Sequence, residues 1–193
     1  MVFNIGRKTF EVIKEITTEK NQTYVVNFKN KPFVLRKFNN LEEYKEALYR
    51  YKKLVKYSIY TPTLEYKDKN EYILVFNHID SPHADEVLAK EELPEIYFEK
   101  LFTLYRYARA NQVDINYLPE NFALDGKRLY YTSLDLFNAK PEINLENYGL
   151  EFWIMSKKGY EHLTKLGYEI DKKRLLSSAE TNKKIVLLSL YNW

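Results

Sequence analysis

Apolar and polar residues alternate through the first third of the chain, and again between residues 63 and 79. The segments with this alternation are Phe10–Ile16, Thr23–Phe28, Phe33–Phe38, Thr63–Tyr66 and Glu71–Ile79. Side chains of a strand point alternately to the two faces of a sheet, so the pattern predicts five strands. The turn-forming residues Lys29–Pro32 separate two of them. The N-terminal part is therefore predicted to be an antiparallel sheet.

A helical period replaces the alternation after Asn40, which is predicted to cap a helix from Leu41 to about Tyr57. Apolar residues recur there every three or four positions, at Leu41, Tyr44, Ala47, Leu48, Tyr51, Leu54 and Val55. Residues at that spacing lie on one side of a helix. The N-terminal part is therefore predicted to contain one helix besides the sheet.

The pattern changes again near Asp80-Ser81-Pro82, and the remainder of the chain is predicted to be mostly helical. The helices predicted beyond that point are Ala84–Lys90, Pro94–Ala110, Glu146–Leu166 and a terminal helix around Ile185–Leu190. The sequence thus predicts an α+β protein with two lobes. Residues 1–80 form the β-rich lobe and residues 81–193 form the helical lobe.

Composition narrows the classes of protein that fit this pattern. The 193 residues are 45% hydrophobic and 30% charged, which is typical of a globular protein. No run of about 18 apolar residues is present, so no membrane span is expected. The N-terminus lacks the apolar core of a signal peptide, and cysteine is absent, which excludes disulfides. We therefore expect a cytoplasmic protein.

The charge balance argues against a nucleic-acid partner. The net charge is +3, from 30 Lys and Arg against 27 Asp and Glu, whereas nucleic acid usually attracts a concentrated basic face. The three histidines, His78, His83 and His162, are too scattered to be zinc ligands. Neither nucleic acid nor zinc is therefore expected.

The segment Gln112–Phe137 carries the clearest chemical signal. It places Pro119-Glu120-Asn121 shortly before an apolar, aromatic run that ends at Asp135. Asp125-Gly126, in the middle, is typical of a hairpin turn. The hairpin thus joins an Asn amide oxygen to an Asp carboxylate, and both groups are able to hold a metal ion.

Together with the sheet and the first helix, this segment resembles the protein-kinase-like fold, in particular the small bacterial kinases and the aminoglycoside-phosphotransferase-like enzymes. The resemblance covers roughly Phe10 to Phe137. In that family a loop Asn and a strand-end Asp hold Mg²⁺ on the nucleotide phosphates. The resemblance therefore implies ATP and Mg²⁺ as cofactors, with Asn121 and Asp135 as metal ligands.

The residues Val34–Lys37 (VLRK) resemble the V-A-I-K motif of the third strand in that family. The resemblance implies that Lys37 binds the α- and β-phosphates and that Leu35 lies near the adenine. It also implies a carboxylate of the next helix as the partner of Lys37. Glu43 fits this role by helical phase and Glu46 is the alternative, although ordinary surface pairing also accounts for either residue.

The loop Asn111–Asn121 resembles the catalytic-loop pattern G-I-x-H-x-D-L-x-P-x-N, in which Pro119 and Asn121 match. In this register Asp114 replaces the His and Asn116 replaces the catalytic Asp. An Asn side chain cannot accept the proton of an attacking hydroxyl, so general-base help from that position is lost. Asp114 and Asn116 are still the candidates for orienting an acceptor.

The sequence departs from the motifs of the family at two further places, the metal-binding residue and the loop that covers the phosphates. Tyr130–Phe137 resembles the strand that leads into a D-F-G or D-F-D motif, and its register is open. Ser133 takes the metal position in one register and Asp135 takes it after a shift of two residues, which the strand period allows. Thr17–Gln22, where a glycine-rich loop is expected to cover the phosphates, contains no Gly.

Two functions remain consistent with these residues. The first is a pseudokinase-type binding module, with weak or absent nucleotide binding, that serves a partner protein. The second is an ATP- and Mg²⁺-dependent phosphotransferase acting on a protein or small-molecule hydroxyl, because positioning and charge neutralisation carry most of that chemistry. The sequence lacks the glycine-rich loop, the catalytic Asp and, in one register, the metal-binding Asp. Together these departures favour the binding module, and whether the protein is an enzyme is left open.

Overall fold

The computed structural model describes residues 1–17 and 22–193. Most of the segment predicted to replace the glycine-rich loop, Thr17–Gln22, lies outside the described residues. The chain divides into two compact units. The first comprises residues 1–53 and 61–80, and the second comprises residues 54–60 and 81–193.

A six-stranded antiparallel sheet forms most of the first unit. Its strands, in chain order, are β1 Val2–Ile5, β2 Lys8–Thr17, β3 Gln22–Phe28, β4 Lys31–Lys37, β5 Leu64–Asp68 and β6 Ile73–Asn77. In space their order is β1-β2-β3-β4-β6-β5. The two edge strands, β1 and β5, contact each other, so the sheet is curled. The five predicted strands are confirmed, whereas the predictions missed β1.

The turn between β3 and β4 shows how the local sequence sets the register. Lys29 and Asn30 both have positive φ, of 53° and 61°. Two such residues form the two-residue hairpin loop whose twist matches that of the flanking strands. Phe28 therefore pairs with Lys31, and the alternation along β4 turns Phe33 and Leu35 towards the core.

The core of the first unit is an aromatic cluster on one face of this sheet. Phe10 is completely buried, and its ring centroid lies 4.9 Å from that of Phe28, 5.4 Å from that of Tyr66 and 6.1 Å from that of Phe33. Aromatic pairs at such distances add to the free energy gained from burial alone. This face therefore fixes the curvature and register of the strands.

The helix α1, Leu41–Lys56, follows β4 and begins where the sequence predicts. The side chain of Asn40 accepts a hydrogen bond from the backbone N–H of Glu43 at 2.9 Å. A side-chain oxygen in that position satisfies one of the free N–H groups of the first turn. Asn40 is thus confirmed as the N-cap.

The second unit is mostly helical. Its helices are α2 Ala84–Lys90, α3 Glu95–Ala110, α4 Lys157–Lys165 and α5 Ser178–Asn192. Its strands are β7 Val113–Ile115, β8 Phe122–Asp125, β9 Arg128–Tyr131 and β10 Leu136–Asn138. Strands β8 and β9 form the predicted hairpin, and β7 pairs with β10. Short 3₁₀ turns lie at Pro119–Asn121, Pro141–Ile143, Gly149–Trp153 and Lys172–Arg174.

The prediction of one continuous helix over Glu146–Leu166 is wrong. The segment is a 3₁₀ turn, Gly149–Trp153, followed by α4. Ser156 is the N-cap of α4, and its hydroxyl accepts a hydrogen bond from the N–H of Gly159 at 3.0 Å. A serine that bonds a nearby backbone N–H starts a new helix rather than continuing the old one. The apolar spacing spans both pieces, which explains the error.

The α+β class predicted from the sequence is confirmed. An antiparallel sheet with one helix precedes a mostly helical part that carries a hairpin, which is the element order expected of the protein-kinase-like fold. Among the described residues, no helix combines the length and the apolar character needed to cross a bilayer.

Replacing Gly159 with Ala tests the packing at the start of α4. The added Cβ would lie 2.2 Å from the carbonyl oxygen of Ile154, which is backbone and cannot rotate away. We expect a loss of about 3 kcal/mol or more in the free energy of unfolding, measured by urea denaturation. Gly126→Ala is the control, because its Cβ meets no atom within 4 Å and only the φ of 58° is strained. The control is expected to lose about 1 kcal/mol, and equal losses would contradict the packing argument.

Candidate functional site

Two segments of the second unit carry the residues predicted to bind metal and acceptor. The pairing of β7 with β10 sets Ile115 opposite Leu136, so Asn116 and Asp135 lie just beyond the same rung. The backbone N–H of Thr132 donates to the carbonyl oxygen of Asn121 at 2.8 Å. The fold therefore brings Asn116, Asn121 and Asp135 together at one end of this small sheet.

The hydroxyl of Tyr131 links these two segments. Tyr131 is fully buried at the end of β9. Its hydroxyl accepts a hydrogen bond from the backbone N–H of Asn116 at 3.0 Å and donates one to the backbone carbonyl of Asp135 at 2.9 Å. Because a buried hydrogen bond lost on one side leaves an unpaired polar group, this hydroxyl holds the loop and the Asp135 segment in register.

A second aromatic residue fixes the other side of the loop. The indole N–H of Trp153, which is fully buried, donates to the carbonyl oxygen of Tyr117 at 2.6 Å. The ring of Phe122 lies between the two anchors, 5.2 Å from the ring of Tyr131 and 5.1 Å from that of Trp153. The loop is therefore held at two successive residues by polar atoms of one aromatic cluster.

Glu120 anchors the 3₁₀ turn that carries Asn121. The Nδ1–H group of His83 donates to the backbone carbonyl of Glu120, and the Nε2–H group of His162 donates to its carboxylate at 3.0 Å. Two histidines that are far apart in sequence thus meet on one residue next to a candidate ligand. No spacing rule connects these positions, so sequence reasoning missed them.

The side chain of Asn116 bonds within the loop itself. Its amide oxygen accepts a hydrogen bond from the N–H of Leu118 at 3.2 Å. The side-chain amide of Asn121 donates to the carbonyl oxygen of Asn116 at 3.5 Å, a long contact. No described residue donates to the Oδ1 atom of Asn121, so that oxygen stays free for a cation.

Ser133 and Asp135 do not lie on a strand. Strand β9 ends at Tyr131 and β10 begins at Leu136, so the prediction that a strand period turns the two side chains the same way is wrong. The hydroxyl of Ser133 instead accepts a hydrogen bond from the N–H of Asp135 at 3.2 Å. Asp135 is partly exposed, and Ser133 supports its backbone.

Asp114 is a completely buried residue of β7. One carboxylate oxygen accepts from the backbone N–H of Lys140 at 3.0 Å, and the other accepts from the hydroxyl of Tyr117 at 3.3 Å. Burial raises the pKa of the Asp114 carboxyl, and these two hydrogen bonds and the charge of Arg109 oppose the shift. The carboxylate therefore stabilises the position of the chain around residue 140.

Tyr117 supports that arrangement as a neutral phenol. Burial, followed by the charge of Asp114, raises the pKa of Tyr117. Its ring also packs edge to face on Tyr105, with centroids 5.8 Å apart. A phenol that stays protonated keeps donating to Asp114 over the whole working pH range.

The predicted phosphate-binding residues lie in the first unit. Lys37 ends β4, and its ammonium group lies 5.9 Å from the centre of the Phe3 ring. Leu35 is completely buried and belongs to the core beneath the sheet. Because Lys37 and the Asn121/Asp135 pair belong to different units, their convergence on one cleft stays a prediction.

The two acids proposed as partners of Lys37 have other contacts. The Glu43 carboxylate accepts hydrogen bonds from the backbone N–H of Asn39 at 3.1 Å and from the side-chain amide of Asn40 at 3.2 Å. Glu46 pairs with Arg50 at 2.8 Å, one helical turn away. Within the described ranges neither acid contacts Lys37. The spacing Asn40-x-x-Glu43 is a capping-box pattern, which the sequence already contained.

The described part of the chain contains no cluster of three His, Cys, Asp or Glu side chains suited to a metal ion. The candidate oxygen ligands at this end of the small sheet are the amide oxygen of Asn121 and the carboxylate of Asp135. Mg²⁺ commonly keeps several waters and binds through one or two protein oxygens together with substrate phosphates. The residues present thus fit a hydrated Mg²⁺ bound with a phosphate ligand, rather than a cage made of protein alone.

Comparison with known proteins does not identify a family for this chain. No family model matches the chain, and no curated protein matches it. Among solved structures, the chain is similar to a choline kinase, LicA, from Streptococcus pneumoniae. The TM-score is 0.45 and the identity 15%, over 94% of this chain and 85% of that chain. Values this low do not establish a shared activity.

Asp114→Asn tests whether the buried carboxylate is structural. Asn keeps an oxygen for the Lys140 N–H and can donate to the Tyr117 hydroxyl, so the fold is expected to survive. Since the folded pKa of Asp114 is raised, its native state holds the proton more tightly, and its contribution to stability falls as pH rises above the ordinary aspartate value. Urea unfolding should therefore show the wild type losing stability relative to Asp114→Asn as the pH rises above the ordinary pKa of an aspartate, about 4.

The control for this pair is Asp114→Ala, which leaves the Lys140 N–H without its acceptor. Relative to Asp114→Asn, it should cost about 1–3 kcal/mol in the free energy of unfolding at every pH, because neither variant titrates at this position. A wild-type minus Asp114→Asn difference that is flat with pH would contradict the assignment.

Tyr131→Phe tests the hydroxyl that links the two segments. Its removal leaves the N–H of Asn116 and the carbonyl of Asp135 unpaired in a buried site, so a loss of about 1–3 kcal/mol is expected. The backbone amide of Asn116 should also lose protection against hydrogen exchange. Tyr130→Phe, one residue earlier and only partly buried, should change the stability by no more than about 0.5 kcal/mol. Similar losses in both variants would refute the role of Tyr131.

Proposed function

We propose that the chain is a pseudokinase-type binding module that serves a partner protein and binds nucleotide weakly or not at all. One observation carries the proposal: Asp114, the acid of the loop that lies nearest the expected base position in sequence, is completely buried, and both of its carboxylate oxygens accept hydrogen bonds. The carboxylate of the other acid in the loop, Glu120, is bonded to His162. The residue at the base position itself, Asn116, cannot take up a proton. The loop therefore offers no base to an acceptor hydroxyl.

Phosphoryl transfer to a hydroxyl needs a group that accepts its proton within about 3 Å. The Asp114 carboxylate is buried and bonded to the backbone N–H of Lys140. It therefore cannot accept the proton of an acceptor hydroxyl without losing its own hydrogen bonds. Of the two acids that the resemblance pairs with Lys37, Glu43 is bonded to Asn39 just before α1, and Glu46 is bonded to Arg50 on α1. These placements all favour a protein with the kinase-like arrangement of helices and strands but without a group that accepts the proton of an acceptor hydroxyl.

A second candidate, an ATP- and Mg²⁺-dependent phosphotransferase, is favoured by a different observation. The Tyr131 hydroxyl holds the Asn116 loop and the Asp135 segment side by side. Asn121 and Asp135 would then hold Mg²⁺, which would neutralise charge on the nucleotide phosphates. In this candidate Lys37 contributes a positive charge to the same phosphates, and Asn116 orients the acceptor without taking its proton.

A titration with ATP and Mg²⁺ separates the two candidates. A ligand that binds only the native state raises the melting temperature by mass action. We expect a small or absent shift at millimolar ATP and no transfer of the terminal phosphate to protein, small-molecule or water acceptors. A Mg²⁺-dependent shift that Lys37→Ala and Asp135→Ala both remove, together with measurable transfer, would overturn the proposal.

Asn116→Asp is the informative companion variant, since it restores a carboxylate at the expected base position. Gain of phosphate transfer in this variant, with none in the wild type, would place the loss of activity at this single residue. Lys45→Ala, on the exposed side of α1, serves as a control for nonspecific effects of removing a lysine on ATP binding.

A further inference from the structure

The last helix, α5, buries very little side-chain surface against the rest of the second unit. Of its 15 residues, all of which the structure describes, Thr181 alone is buried. Helix α3, which is also fully described and has 16 residues, has seven buried side chains. Elements with few buried contacts open locally at a lower free energy than the whole protein. We therefore expect α5 to detach while α3 stays in place.

The C-terminal end of α5 is attached mainly by polar groups. The indole N–H of Trp193, the residue after the helix, donates to the carboxylate of Glu146. The hydroxyl of Tyr105 on α3 donates to the same carboxylate at 2.9 Å, and the rings of Tyr105 and Trp193 lie 5.7 Å apart. Arg106 donates to the backbone carbonyl of Asn192. The end of α5 is thus joined to α3 through a carboxylate that belongs to neither helix.

The contacts near the start of α5 contribute less to its attachment. Lys184 forms an ion pair with Glu92 at 2.9 Å, and the Glu92 side chain is 73% exposed. Ion pairs this exposed contribute little to stability. The capping box between Ser177 and Glu180 stabilises the helix itself and does not fix it to another element. The contacts around Glu146 are therefore the ones that decide whether the end of α5 stays docked.

Glu146 lies in the segment 139–148, which follows β10 and is also tied to the candidate site. At its start, the backbone N–H of Lys140 donates to the Asp114 carboxylate at 3.0 Å. Towards its end, the Asn144 side chain accepts from the N–H of Asn147 at 2.8 Å. Glu146 therefore connects the end of α5 to a segment that carries one of the two donors to Asp114.

Tyr105 provides the second connection to the candidate site. Its ring packs edge to face on that of Tyr117, with centroids 5.8 Å apart, and the Tyr117 hydroxyl is the other donor to Asp114. Burial, followed by the hydrogen bond to Glu146, raises the pKa of Tyr105. The Tyr105 hydroxyl therefore stays protonated and keeps donating to Glu146.

We propose that α5 is a detachable latch that controls the segment 139–148. With α5 docked, Trp193 and Tyr105 hold Glu146, and the segment stays where Lys140 bonds Asp114. When the end of α5 detaches, Glu146 loses the Trp193 donor and the contacts of the segment open more often. The equilibrium between docked and detached α5 thus sets how well the Asp114 carboxylate is covered. This latch goes beyond the proposed function and does not rest on it.

Hydrogen exchange of the full chain, followed by NMR, tests the detachment. The backbone amides of Leu187–Ser189 in α5 should be protected at least about a hundredfold less than those of Leu101–Tyr105 in α3. Low concentrations of urea should speed exchange in α3 and barely change it in α5, because local opening exposes little surface. Equal protection and equal urea dependence in the two helices would show that α5 opens only when the whole protein unfolds, and would refute the latch.

Trp193→Ala tests the connection to the segment, because it removes the indole donor and the ring contact with α3. The amides of Lys140, Asn147 and Gly149 should lose protection by about ten- to a hundredfold, the effect of losing a hydrogen bond to a charged group. Leu190→Ala is the matched control, since Leu190 lies on the last turn of α5 and is 73% exposed. It should leave the same three amides unchanged within about twofold.

Glu146→Ala completes a double-mutant cycle with Trp193→Ala. Since the two residues contact each other, the double variant should lose no more protection at Lys140 than Glu146→Ala alone. Should Glu146→Ala not fold, Glu146→Gln, which keeps one acceptor oxygen, replaces it in the cycle. Additive losses, losses confined to the amides of α5, or equal losses in Leu190→Ala would each overturn the inference.

Discussion

The candidate site depends on one buried hydroxyl, that of Tyr131. It accepts from one backbone group and donates to another, and these groups belong to segments that are adjacent only because β7 pairs with β10. Buried hydrogen bonds of this kind contribute modestly when made and cost more when broken on one side. The positions of Asn121 and Asp135 therefore depend on the packing around this tyrosine.

The same principle explains how the buried Asp114 carboxylate is accommodated. A carboxylate taken out of water needs donors, and Asp114 finds them in a backbone N–H and a phenol of its own unit. Both oxygens are bonded and the residue is completely buried, so the carboxylate stabilises the chain around it and does not reach solvent. A framework role and a proton-accepting role compete for the same atoms, and the structure favours the framework role.

Alternation and helical spacing sufficed to predict β2 to β6 of the sheet, α1 and the β8–β9 hairpin, because these elements bury one face each. They missed β1. They failed at Glu146–Leu166, where the spacing runs across the Ser156 cap. They also could not separate a buried Asp114 from an exposed one, since three-residue β7 is too short to show a pattern. The anchoring of Glu120 by His83 and His162 joins residues more than 30 positions apart, so only the folded chain reveals it.

The contact between β1 and β5 affects how exposed the two edges of the sheet are. Edge strands present unpaired backbone groups that other chains can join, and proteins usually guard them with charges, bulges or a covering element. Here the curling of the sheet brings its two edge strands close to each other, so each edge has the other as a neighbour. Strand β1, which carries no candidate ligand, thus restricts the approach of another strand to the edge at β5.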